Sequence, residues 1–209
     1  MITVYIPMFI IIDKICNCFL DNETASFVVG TFHHIPSIYY AFMIITDNKF
    51  INDKINYYSI TSNTMITHTL AYFIYDSIYY LIYSFPINSY KKLQYIIHAL
   101  SCMSVYMYFY NSKKYHYYGA AFLTFECSTP FLYIVLLMYK YNMRSNIVFR
   151  INSLLLLASF FIFRILYGTY IIWYDMAPLF VWYQYIPAIA LTSLNYLWFY
   201  KLVNKAIKL

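Results

Sequence analysis

Residues 119–132 read Gly-Ala-Ala-Phe-Leu-Thr-Phe-Glu-Cys-Ser-Thr-Pro-Phe-Leu: one acid, Glu126, and one proline, Pro130, inside an apolar run with no neighbouring charge. In lipid both are costly. A lone carboxylate near a bilayer centre costs about 2.5–3.5 kcal/mol on insertion scales, and a mid-helix proline leaves a backbone carbonyl that no water satisfies there. Cys127, Ser128 and Thr129 lie between the two, small polar side chains able to bond freed backbone and admit a neighbouring helix. This segment is read as the polar centre of the chain.

The flanking sequence has the composition of a membrane protein. Of 209 residues, 63% are hydrophobic and 11% charged, against about 45–50% and about 25% in ordinary soluble domains. The reading is a single all-α domain over residues 1–209, a multi-pass membrane bundle with no separate soluble unit. The net charge of +6 lies mostly in short loops and the tail, which points to orientation signals and away from nucleic-acid binding. Cys16, Cys18, Cys102 and Cys127 form no CxxC pair and read as free thiols. Tyr and Phe are abundant, as are other residues with AT-rich codons, so aromatic stripes carry little functional weight here.

Seven spans are expected, near residues 1–20, 26–45, 65–84, 93–110, 118–138, 147–174 and 179–203. Pro86 with Lys91 and Lys92 marks one turn. An odd span count puts the termini on opposite sides. Lys49, Lys54, Lys113 and Lys114 then share the N-terminal side, whereas Lys91, Lys92, Lys140, Arg144, Arg150, Lys201, Lys205 and Lys208 share the C-terminal side. The positive-inside rule makes the C-terminus cytoplasmic. Asn22-Glu23-Thr24 fits a glycosylation pattern but falls in a tight cytoplasmic turn, where it is expected to stay unused.

Helical rise of about 1.5 Å per residue places His33, His34, Asp76, His98, Glu126 and Arg164 close to mid-span on five helices. Ionisable groups at that depth are expected to share an interior cluster, with Arg164 facing Glu126 or Asp76. Pro130 is expected to interrupt its helix and turn Glu126 and Ser128 inward. Two uses compete for such a layer. It can receive a polar lipid headgroup or reactive carbonyl, with an imidazole as base or nucleophile, or it can hydrogen-bond the helices together. His68 and His116, near span ends, favour packing or solvation. A metal site is not expected: no HxxxH pair occurs, and adjacent histidines point about 100° apart on a helix.

Several of these segments together resemble the TLC domain family, which includes translocating-chain-associated membrane proteins, ceramide synthases and CLN8-type proteins. TFHHIPSIYYAF (31–42), LAYFIYDSIYYLI (70–82) and IIHALSCMSVYMYFY (96–110) are similar to its histidine, GYxxxD-type and second histidine spans. GAAFLTFECSTPFLYIVLLM (119–138) resembles its E-[LC]-S-[ST]-P-F signature, and INSLLLLASFFIFRIL (151–166) its closing N…F-R-I pattern. The resemblance is strongest over residues 26–172, and the signature is nearest to the TLC-domain-containing protein subgroup. Ceramide synthases carry adjacent histidines where this chain has His98-Ala99, and two aspartates where it has Glu126 and Thr129.

The resemblance implies lipid sensing, trafficking or control of membrane lipid composition in the endoplasmic reticulum or another internal membrane, without turnover or cofactor. Membrane lipids are the implied partners. Its alternative implication is an N-acyltransferase using acyl-CoA as substrate, with His98, Glu126 and Asp76 catalytic. His33, His34, Asp76, His98, Glu126, Ser128, Pro130 and Arg164 are the expected polar core of a lipid cavity, and His98 is the residue on which the two readings divide.

Overall fold

The computed structural model describes residues 2–83 and 90–207; the expected turn at Pro86 and the tail residue Lys208 lie outside them. All regular structure among the described residues is helical. The helices are α1 (Ile2–Asn17), α2 (Asn22–Ile45), the short α3 (Asn48–Asn52), α4 (Ile60–Tyr83) and α5 (Tyr90–Ser112). Next come α6 (His116–Leu123) and α7 (Thr129–Lys140), which form one rod interrupted by a 3-10 segment, Thr124–Ser128. α8 (Ile147–Ser159) continues into wide π-helical turns over Phe160–Tyr167 and Tyr170–Met176, and α9 (Tyr185–Ala206) follows. With α3 set aside, seven rods remain among the described residues.

The protein is an all-α, multi-pass membrane bundle. Among the described residues three rods, Asn22–Ile45, His116–Lys140 and Ile147–Leu179, are both long and apolar enough to cross a bilayer. α4, α5 and α9 have 24, 23 and 22 residues, enough for a hydrocarbon core of about 30 Å, but are more polar. On α8 and its continuation Ile151, Leu154, Leu155, Ile162 and Leu166 stand exposed, as side chains facing acyl tails rather than water would.

Caps set several helix starts. The Asp21 carboxylate accepts the Thr24 N–H at 3.1 Å ahead of α2, and Asn146 accepts the Val148 N–H at 2.9 Å ahead of α8. Packing follows chain order in part: α1 lies on α2 and α4, α4 on α5, α5 on α9, α2 on α6, and α7 on α8. Phe9, Met65, Ile66, Leu70, Phe109 and Leu123 fill the middle with no exposure beyond 1%. α6 meets α4 closely because Gly119 has no side chain; a Cβ there would stand 2.6 Å from Ile66 Cδ1.

Loop contacts agree with an alternating path. Lys54 pairs with Asp175 at 2.7 Å, and the Tyr115 N–H donates to the Ile55 carbonyl at 2.7 Å, joining the second, fourth and sixth connections at one end. At the other end Lys140 pairs with Asp21 and donates to Thr24 Oγ1 at 2.8 Å. That is the partition the span order predicts.

Several boundaries differ from expectation. α4 begins at Ile60 rather than Met65, so Asp76 falls in its last third instead of its centre. α9 begins at Tyr185 rather than Leu179, because Ala177–Leu179 and Trp182–Gln184 form separate single turns around the connection. α1 stops at Asn17, whose amide donates to Asp13 at 3.0 Å, short of the expected Leu20.

Candidate functional site

Pro130 shapes the site through the bond it cannot make. In an uninterrupted α-helix the N–H of residue 130 would serve the Glu126 carbonyl, and proline has none. The Thr129 N–H serves that carbonyl instead, tightening the chain into the 3-10 turn. Phe125 O thereby gives up its i+4 donor for the poorer i+3 geometry of the 3-10 turn. It also accepts from Arg164 Nε at 3.0 Å and from Ser128 Oγ at 3.1 Å, so a charged group from the sixth rod bonds the backbone of the interrupted turn in the fifth.

Arg164 is held through Nε and one Nη. Its Nε also donates to Ser128 Oγ at 3.0 Å, one Nη donates to Thr129 Oγ1 at 3.0 Å, and the same nitrogen lies 3.5 Å from Glu126 Oε2. The Phe160 ring lies 5.1 Å from the guanidinium. Arg164 sits in the π-helical stretch, whose wider turn is a common device for re-aiming side chains at functional positions.

Glu126 is buried, and its recorded partners converge on a single oxygen. Oε2 accepts from Thr129 Oγ1 at 2.7 Å, lies 3.1 Å from His34 Nδ1 and faces Arg164. Oε1 has none among the described residues. The ring of His34 is held from its far side, where Nε2 lies 3.0 Å from the Tyr133 hydroxyl. Tyr133 can approach because Gly30 has no Cβ; one would collide with the hydroxyl.

The paired histidines divide as their helical angle requires. His34 faces Glu126, whereas His33 is fully buried on the other side, stacked on Tyr72 with ring centroids 4.0 Å apart and bonded to Ser37 at 3.2 Å. His68 stacks on His33 at 5.3 Å and packs against Tyr5 and Phe9. His116 is enclosed and bonded to Ser62 Oγ at 2.8 Å. Asp76 makes no ion pair among the described residues. No three His, Cys, Asp or Glu among the described residues come together as a metal site requires.

Beside Glu126 and Arg164 lies a cavity of about 320 Å³, between α5 and α9. Its walls are mostly apolar, with Phe73, Phe109, Phe122, Ile172, Ala188 and Leu191 among them; the polar lining includes His98, Cys102, Ser104, Glu126, Arg164, Gln184 and Asn195. His98 touches Cys102 Sγ at 3.8–3.9 Å and packs edge-on against Trp198 at 5.3 Å. Beyond Trp198, its indole N–H and the Lys201 ammonium both donate to Gln94 Oε1, at 3.1 and 3.0 Å, joining α5 to α9 at that end.

Of the residues expected in the polar layer, the structure thus brings His98, Glu126 and Arg164 to the cavity wall. His34 and Ser128 support that wall from behind, and Pro130 sets the turn. His33 and Asp76 do not line the cavity. Tyr133 and Asn195 were not singled out from sequence, because tyrosine and asparagine are common throughout the chain and neither stands in a distinctive motif.

The chain matches the TLC domain over residues 24–204, which takes in both the Glu-Cys-Ser-Thr-Pro-Phe turn and Arg164. The chain belongs to the TLC domain family. It is 34% identical over 131 residues to a TLC domain-containing protein of Acanthamoeba polyphaga mimivirus, an alignment covering 56% of this chain. The chain spans 60% of the length of that curated relative. No solved structure matches. Within this TLC domain the signature residues Glu126, Ser128 and Thr129 all bear on Arg164, so the motif and the closing F-R-I pattern form one hydrogen-bonded unit.

Proposed function

We propose that this TLC domain protein binds a membrane lipid in the α5–α9 cavity and acts in lipid sensing, trafficking or control of membrane lipid composition, without turnover. The membrane is the endoplasmic reticulum or another internal membrane, with the C-terminus in the cytoplasm as the excess of basic residues at that end suggests. The observation that carries the reading is a mostly apolar cavity ending on a cluster of polar side chains.

The surroundings of His98 favour binding over catalysis. A nucleophilic or basic imidazole needs a group that orients its second nitrogen. Among the described residues His98 has only the Cys102 thiol within such reach, while Glu126 is engaged by Arg164, His34 and Thr129. The alternative, N-acyl transfer from acyl-CoA to an amine, draws on His98 and Glu126 sharing the cavity wall. Expression in cells lacking ceramide synthase separates the two. No ceramide is expected despite verified expression; ceramide restored by wild type and lost in His98→Ala would make the enzyme reading correct.

A further inference from the structure

The cavity's polar end has a chemical character that selects its ligand. Glu126 directs Oε2 at three protein partners and leaves Oε1 without one, on a residue that lines the cavity. A carboxylate oxygen only accepts, so what it faces must donate. Asn195 also lines the cavity, is 5% exposed, and makes no side-chain hydrogen bond among the described residues. Its amide offers two donors and an acceptor.

Charge narrows the choice further. Among the described residues Arg164 is the only lysine or arginine in the wall, and its field is offset by the adjacent carboxylate. Its Nε is directed to Phe125 O and Ser128 Oγ, and one Nη to Thr129 Oγ1. A fatty-acid carboxylate or lipid phosphate would bring a second anion beside Glu126, where the one guanidinium is already paired, in a water-poor site. An ammonium bonded to Oε1 would set a second cation beside the Arg164 guanidinium, like charge against like in the same site.

We propose that the cavity takes a neutral single-chain amphiphile whose head carries hydroxyl or amide groups, the head donating to Glu126 Oε1 and bonding the Asn195 amide. The chain lies along Phe109, Phe122, Ala188 and Leu191. This rests on the reading of the cavity as a lipid site and names the class of lipid.

The test uses purified full-length protein in lipid nanodiscs with three photoactivatable probes of one chain length: a monoacylglycerol, a fatty acid and a long-chain amine. Labelled peptides are mapped by mass spectrometry. The monoacylglycerol probe is expected to label α5 and α9, with unlabelled monoacylglycerol competing about tenfold better than the acid or the amine, the worth of one to two hydrogen bonds. Asn195→Leu is expected to abolish that preference while leaving the thermal midpoint near wild type. Equal or stronger labelling by the acid or amine at these helices overturns the head-group assignment and leaves the lipid cavity standing. Absence of labelling by all three, unchanged in a cavity-filling Ala188→Trp variant, overturns the lipid-site reading itself.

Discussion

Arg164 on the sixth rod donates from Nε to the backbone carbonyl of Phe125 on the fifth, at 3.0 Å. The 3-10 turn ahead of Pro130 takes that carbonyl out of the i+4 ladder and leaves it open to a further donor. A side chain from one span thus bonds the backbone of another where its α-helix is interrupted. The same guanidinium faces Glu126, so the chain's most expensive polar groups at this depth offset one another.

Arg164→Leu leaves both the Phe125 carbonyl and the Glu126 carboxylate without it. The loss is expected to be about 3–5 kcal/mol, in the range for breaking one side of a buried pair. Thermal unfolding in detergent measures it. Wild-type stability of the variant would show that the pair does not hold the two rods together.

Pro130→Ala returns an N–H to position 130 and lets the Glu126 carbonyl bond in ordinary α-helical fashion. Stability is expected to stay within about 1 kcal/mol of wild type, because the proline lies in the first turn of α7, where it is tolerated. Glu126 is nevertheless expected to rotate as the turn relaxes. Lipid retention by the purified variant reads this; unchanged retention would mean the proline does not set the orientation of Glu126.

The Gly30 and Tyr133 contact lends itself to a double substitution. Gly30→Ala is expected to push the Tyr133 hydroxyl off His34 at a cost of about 1–3 kcal/mol, typical of overpacking. Tyr133→Phe in the same chain removes the colliding oxygen and is expected to recover part of that loss. Additive losses in the double variant would place the damage elsewhere.

Sequence carried the architecture further than it carried the details of the site. Seven hydrophobic segments separated by charged loops correspond to seven rods, since lipid requires each to be a long, internally bonded helix. The prominence of Glu126, Pro130 and Arg164 was legible for the same reason: each is costly in an apolar run. Which groups answer them was not. Tyr133 meets His34 across 99 residues of sequence, and Asn195 reaches the cavity from a helix with no marker beyond a proline near its start. Asp76 lies within electrostatic reach of Glu126, yet it makes no ion pair among the described residues, and the earlier start of α4 sets it in the last third of its helix.

At the membrane edge, Asp21 links a cap to an ion pair. The Lys140 ammonium bonded to its carboxylate, with the Thr24 N–H and hydroxyl, holds the Asp21 pKa well below the usual carboxylate range. A depressed folded value means stability that is full above the unfolded aspartate pKa of about 3.9 and is lost as pH falls below it, towards the folded value. Asp21→Asn keeps a capping oxygen and removes the charge. The variant's thermal midpoint is expected to fall less than wild type's between pH 5 and pH 2, to about the order of an exposed pair's small effect, and high salt is expected to narrow the difference. Parallel acid profiles would mean the pair contributes nothing.

The central claim is that the space between α5 and α9 holds a lipid against Glu126, and native mass spectrometry of the gently solubilised protein tests it most directly. Wild type is expected to carry a co-purifying single-chain lipid that is absent from Ala188→Trp, whose indole fills the cavity, with both proteins folded by circular dichroism. Identical spectra of bare protein, or the same lipid retained by both, would contradict it.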